Sequence, residues 1–141
     1  DIYRSEFRPS EKFSKPLVNV CMWALTANTN EEAKYLFASR AAWKIGRNYG
    51  QLGSITDPDN ALSIINDNGW TEQYQNMYQN SLVGDANITK DKISKLVEEN
   101  NIDEIAILTW CHNENHRIKS YEIFANAFEL SEKRKPEKSV V

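Results

Sequence analysis

The sequence predicts an α/β fold with parallel strands, and too few of them to close a sheet. Two runs, "LVNVCMWALTAN" (17–28) and "EIAILTW" (104–110), are apolar and rich in β-branched residues with little alternation, the pattern of strands buried on both faces. The segments between and after them keep a helical period, so the strands are joined by crossovers. About eleven mostly apolar residues in the first run ask for neighbouring strands and covering helices that two strands do not supply. The natural inference is one piece of a larger α/β structure.

The elements follow in order. Residues 1–8, "DIYRSEFR", read as the end of a helix with Ile2, Tyr3 and Phe7 on one face. Pro9 and Pro16 bracket a loop before the first strand. Thr29 and Glu32 suit a capping box, opening a helix whose apolar face is Ala33, Leu36, Phe37, Ala41 and Ile45. Gly46, Gly50 and Gly53 then loosen the chain. "DPDNALSIINDNG" has Asp57 as N-cap, Pro58 at the first helical position and Gly69 past the end. "WTEQYQNMYQNSLVG" reads as another helix, with Trp70, Tyr74, Met77 and Tyr78 on one side. Thr89 caps a helix carrying Ile93, Leu96 and Val97, closed by "NNID". After the second strand, a final helix starts near Asn113 with Ile118, Tyr121, Ala125 and Phe128 as its stripe. The domain is expected over 1–130, with 131–141 a charged, frayed tail.

Composition narrows the function classes. The chain has 141 residues, 40% hydrophobic, with a formal net charge of −3. That mildly acidic balance gives no electrostatic footprint for nucleic acid. No apolar run is long enough for a membrane span. Two cysteines do not make a disulfide framework and suit reduced thiols in the cytoplasm. The chain opens on Asp1 inside an apparent helix, which suggests a fragment, a processed chain or a piece numbered from within a longer one.

"LTWCHNENHRIKSYEIF" (108–124) holds both histidines and Cys111. Zinc needs three or four convergent ligands. Adjacent Cys111 and His112 point different ways, and Glu114 turns away from the histidines on a helix, so no metal site is expected. A cysteine nucleophile needs a base within reach, and a sequential neighbour rarely provides one, so no catalytic residue is assigned. Ligands of parallel α/β sheets bind at the carboxyl ends of strands. Trp23, Thr109, Trp110 and His112 are therefore the candidate pocket-lining residues. Arg117 is expected in a salt bridge to a neighbouring element, and His116 in solvent.

Two stretches carry a family likeness. "VGDANITKDKISKLVEENNIDEIAILTWCHNENHRIKSYEIFANAF" resembles the C-terminal end of bacterial luciferase-like, flavin-dependent monooxygenases, which run V-G-[ST]-P-E-x-V, a helix, D-E-[IL]-M, then H-D-H-x-x-R-L-x-S-Y-E-L. Val83-Gly84, Asp103-Glu104-Ile105, Thr109, His112, Arg117 and Ser120-Tyr121-Glu122 fall on matching positions. Upstream, "FRPSEKFSKPLVNVCMWALTANTNEEAKYLFAS" matches the family's F-x-P-S segment, following strand and T-x-E-E-A helix start. Where the family has His-Asp-His this chain has His112-Asn113-Glu114, and Asn caps a helix as Asp does.

The resemblance implies a (β/α)8 TIM barrel, of which this chain is a C-terminal fragment: the end of the sixth helix, then the seventh and eighth strands with their helices. It implies an oxidoreductase in which reduced FMN activates O2 to oxygenate an organic substrate such as an aldehyde, with electrons supplied through a separate flavin reductase. The family's phosphate loop follows the fifth strand, so the flavin-binding residues of this chain stay unassigned, tight FMN binding is not expected, and the isolated chain is expected to be inactive. The expected partner is an N-terminal barrel half. The alternative reading is a non-catalytic remnant that self-associates through its unpaired strand edge.

Overall fold

The computed structural model describes residues 2–130, so the charged tail at 131–141 lies outside the described residues. Its elements are α1 (Ile2–Ser5), β1 (Asn19–Thr26), α2 (Asn30–Asn48), α3 (Pro58–Asp67), α4 (Thr71–Gln79), β2 (Leu82–Gly84), α5 (Ala86–Asn100), β3 (Glu104–Leu108) and α6 (Glu114–Ala127). Three parallel strands lie in the order β2-β1-β3. The sheet is open, and the expectation of two strands is corrected to three.

The third strand is β2. The run ending "SLVG" was expected to be helical, but α4 stops at Gln79 and Leu82–Gly84 pairs with Ala24–Thr26. The reason is tertiary: Val83 is fully buried beside Leu25, and Lys92 Nζ donates to the Ser81 and Val83 carbonyls at 2.8 and 3.2 Å. Three residues satisfied this way need no helix.

β1 divides its partners along its length. Asn19 to Trp23 pair with β3, and Ala24 to Thr26 pair with β2. The chain steps from β1 to β2 on one side, then crosses to β3 on the other. Right-handed crossovers in opposite directions place their helices on opposite faces, and the packing agrees. Leu25 and Val83 join a core with Phe37, Ala41, Ile65 and Tyr74 from α2 to α4. Ala24 joins Ile93 of α5 and Phe124 of α6 on the other face.

The first strand was expected to be buried on both faces along its whole length. Only Ala24, Leu25 and Thr26 are buried. Asn19 and Cys21 are exposed, as are their neighbours Glu104 and Ala106 on β3, while Leu108 beside Trp23 is 48% exposed. One face of the sheet thus opens to solvent toward the amino ends of the strands. The helices on that side reach only the carboxyl end.

Helix termini follow local chemistry with some displacements. Thr29 Oγ1 accepts from the Glu32 amide at 3.1 Å, while the Glu32 carboxylate takes the Asn28 amide at 3.0 Å, one residue earlier than the usual box. Asp57 caps α3 by accepting from the Asn60 amide, and Gly69 follows the helix at φ 70°. α2 runs through Gly46 to Asn48, so the expected loosening there is corrected; the helix continues because Gly46 lets Gln51 and Trp70 pack close against its backbone. Thr89 is not the cap of α5. Asp85 is, accepting from the Asn87 and Ile88 amides, and buried Thr89 donates to the Asp85 carbonyl at 2.7 Å. An Asp one turn earlier outcompetes a Thr whose methyl belongs in the core.

α6 also departs from its expected stripe. Ile118 and Tyr121 are 48% and 38% exposed, whereas Ser120 and Phe124 are buried. The helix is oriented by polar contacts: the Thr26 amide donates to Ser120 Oγ at 3.0 Å, and the Thr109 amide donates to the Tyr121 hydroxyl at 2.9 Å. A hydrophobicity pattern cannot register a serine as the buried side.

Candidate functional site

β3 ends at Leu108, opposite Trp23 in the middle of β1, which runs on to Thr26 beside β2. An aromatic cluster gathers at Trp23. The Trp23 ring is 5.8 Å from Phe37 and 6.5 Å from Trp110, and Trp43 of α2 meets Trp110 edge to face at 5.4 Å. The Trp23 indole N–H donates to the Trp110 carbonyl at 3.2 Å, and that of Trp43 to the Gly53 carbonyl at 2.9 Å. Both rings are thereby fixed in place, with their polar atoms satisfied.

Arg40, from the middle of α2, enters this cluster. Its guanidinium lies 4.2 Å from the Trp23 ring centre and 4.4 Å from that of Trp110, within the ~6 Å range of a cation–π contact. Arg47 lies similarly over Trp43 at 4.7 Å. Among the described residues Arg40 pairs with no carboxylate. Partial burial draws its pKa down, but an arginine stays charged. The result is a half-desolvated cation held by two aromatic faces, with donors that suit an anion.

The sequence-named residues divide. Trp23 and Trp110 come together around Arg40. Thr109 is buried, and its hydroxyl donates to the Ala24 carbonyl at 2.7 Å, a structural tie between the strands. His112 is exposed and lines a cavity of about 280 Å³ that no tryptophan borders. His116 and Cys111 share that cavity with Asp57 at the start of α3. His116 is half-buried there, a correction to its expected place in solvent. Burial pushes the Cys111 thiol up, opposed by a hydrogen bond with the Asn113 backbone and by the charge of Arg117. A thiol shifted that way is a poor nucleophile. Among the described residues no three His, Cys, Asp or Glu side chains gather as a metal-ligand set.

Asn113 caps α6, accepting from the Asn115 amide at 2.8 Å. Arg117 pairs with Glu114 of its own helix at 2.7 Å, not with a neighbouring element. Sequence reasoning missed Arg40 and Trp43. The available signal was a cation set at the helical spacing of Phe37 and Trp43, inside an otherwise apolar stretch of α2.

No family model matches the chain. A luciferase-like monooxygenase of Escherichia coli (strain K12) is 29% identical over 126 residues, which make up 86% of this chain and 36% of that protein. The chain is similar to part of a luciferase-like monooxygenase. An uncharacterized protein, YvbT of Bacillus subtilis (strain 168), is 25% identical over 132 residues, 91% of this chain and 38% of its own length. The chain thus spans little more than a third of these relatives. Among solved structures, apo-MsnO8 superposes with a TM-score of 0.78 at 21% identity, over 92% of this chain and 40% of that one. That likeness concerns the fold: an open three-stranded sheet matching one portion of a larger protein. Among the described residues no helix is long and apolar enough to cross a membrane.

Proposed function

We propose that this chain provides the C-terminal βα units of a luciferase-like, FMN-dependent monooxygenase acting on an organic substrate such as an aldehyde. The observation that carries the reading is Arg40 between Trp23, in the middle of β1, and Trp110, just past the carboxyl end of β3. Trp110 thus follows a carboxyl strand end, the side of a parallel sheet where ligands bind.

These residues fit the ring of a reduced flavin. Arg40 offers positive charge to an anion, and the tryptophan faces offer a dry wall. Trp23, Arg40 and Trp110 would border the ring, with His112 at the rim. When bound, reduced FMN supplies the electrons that activate O2. The chain's own residues orient the ring edge, balance its charge and exclude water. The cytoplasm is the setting such chemistry suits, and a separate flavin reductase is the partner that would regenerate the reduced cofactor.

The isolated chain is expected to give no oxygenated product when mixed with reduced FMN, O2 and a long-chain aldehyde. Adding a separately produced chain that carries the preceding βα units restores flavin binding and turnover. Turnover by the chain alone would refute the dependence on a partner half. A complemented assembly that binds no flavin would refute the monooxygenase reading. Light scattering on the isolated chain separates a self-associating module from a monomer awaiting its partner.

A further inference from the structure

A cavity of about 170 Å³ lies between α2 and the non-helical segment 51–56, behind the Trp43 indole. It shares Trp43 with the aromatic cluster around Arg40 and none of its lining with the histidine rim. Its walls include Ala42, Trp43 and Ile64, and no charged side chain lines it. Ser39 lines it as well. Ser39 is completely buried, and its hydroxyl has no hydrogen-bond partner. A helical serine ordinarily returns its proton to the carbonyl four residues back, and Ser39 does not. A buried hydroxyl left unpaired carries a desolvation penalty that a ligand group can relieve.

We infer that this cavity is a binding site for a small neutral molecule, mostly apolar and bearing one hydroxyl or carbonyl group that pairs with Ser39. Size supports the class: an apolar cavity of about 150 Å³ admits a benzene ring. Charge supports it too, because an ion would find no counter-ion among the lining residues. Ser39 Oγ is itself buried, so a ligand group reaches it only as the lining yields. Gln51 packs against Gly46 there with its flexible side chain, and Leu52 is 84% exposed. The inference is independent of the flavin reading, since the site needs no partner chain and no cofactor.

Phenol and toluene, alike in shape and differing by one hydroxyl, are the probes. Each is titrated into the 141-residue chain while the indole N–H resonance of Trp43 is followed by NMR. Saturable shifts are expected with both, phenol binding about fivefold more tightly, the worth of one buried hydrogen bond. Ser39→Ala removes that preference and leaves toluene binding unchanged. If neither probe saturates, the cavity holds water only and the inference fails. Equal affinities in the native chain, or a phenol preference that survives Ser39→Ala, likewise overturn it. Should Ser39→Ala fail to fold, the native phenol-to-toluene ratio still decides.

Discussion

Thr109 Oγ1 donates to the Ala24 carbonyl at 2.7 Å, joining the end of β3 to the start of the buried stretch of β1. The same residue's amide is held by Tyr121 of α6. Thr109 therefore connects three elements at the rim, where a pocket-lining role was expected. Thr109→Val keeps the shape and deletes the donor, at an expected cost of about 1–3 kcal/mol. Thr109→Ser restores most of it. A urea midpoint that falls for Val and recovers for Ser, at unchanged slope, is the check.

Gly84 ends β2 where the chain turns into α5. A Cβ at this position would lie 2.6 Å from Ile88 Cγ2 and 2.8 Å from Ile88 Cβ, both inside contact distance. Ile88 is in the first turn of α5 and has little room to retreat. Gly84→Ala is expected to destabilise by about 1–3 kcal/mol through overpacking. Adding Ile88→Ala to it should recover part of the loss. A double-mutant cycle by chemical denaturation measures the coupling, and strict additivity would show the close approach is not the cause.

Arg40 presents opposing terms. Its contacts with Trp23 and Trp110 are worth roughly 0.5–2 kcal/mol, while partial burial of an unpaired cation works against them. Arg40→Met keeps the stem and removes the charge. The net change in stability is expected to stay within about 1 kcal/mol. In the complemented assembly, the same substitution is expected to weaken reduced-flavin binding about tenfold, a loss near 1.4 kcal/mol. Denaturation and flavin fluorescence read the two quantities separately. Equal effects on both would make Arg40 merely structural.

Much of this architecture was readable because it rests on local chemistry. Asp57-Pro58 opens α3, Asn113 opens α6, and the Trp70, Tyr74, Met77, Tyr78 face of α4 packs inward, all as spacing predicts. What escaped depends on partners distant in sequence. Three residues become β2 because Leu25 and Lys92 meet them. Ser120 turns inward because the Thr26 amide needs an acceptor. The strand deficit was legible from the apolar run alone, but the exposure of Cys21 was not, since it depends on how far the covering helices extend. At the site, Trp23 and Trp110 were named from their position at the strand ends, while Arg40 comes from the helix between the strands and joins them only in three dimensions.

Asp57 gives the pH dependence a sign. The Asn60 amide, donating to its carboxylate, holds the Asp57 pKa below its ordinary 3.8. A group depressed in the folded state contributes stability that is present above the unfolded pKa and is lost as pH falls through the folded one. Asp57→Ala is therefore expected to lower the melting temperature at neutral pH, with the gap to the native chain narrowing as pH falls below 3.8. Asp57→Asn, whose amide oxygen still caps, should lower it less and flatten this part of the pH profile. Thermal unfolding from neutral pH into the acid range tests both.

The two thiols report on the open sheet face. Cys21 is exposed on β1, whereas Cys111 is half-buried with its pKa raised by that burial. Alkylation proceeds through the thiolate, so at mildly alkaline pH iodoacetamide should modify Cys21 first and Cys111 several-fold more slowly. Raising the pH should speed Cys111 beyond the range where an ordinary thiol levels off. If copies of the chain cover one another's open faces, Cys21 becomes protected as protein concentration rises while Cys111 keeps its rate. If the face instead awaits a partner half, Cys21 stays reactive at every concentration and is protected only when that half is added. Mass spectrometry of the quenched reaction distinguishes these outcomes in one series, because each thiol serves as the control for the other.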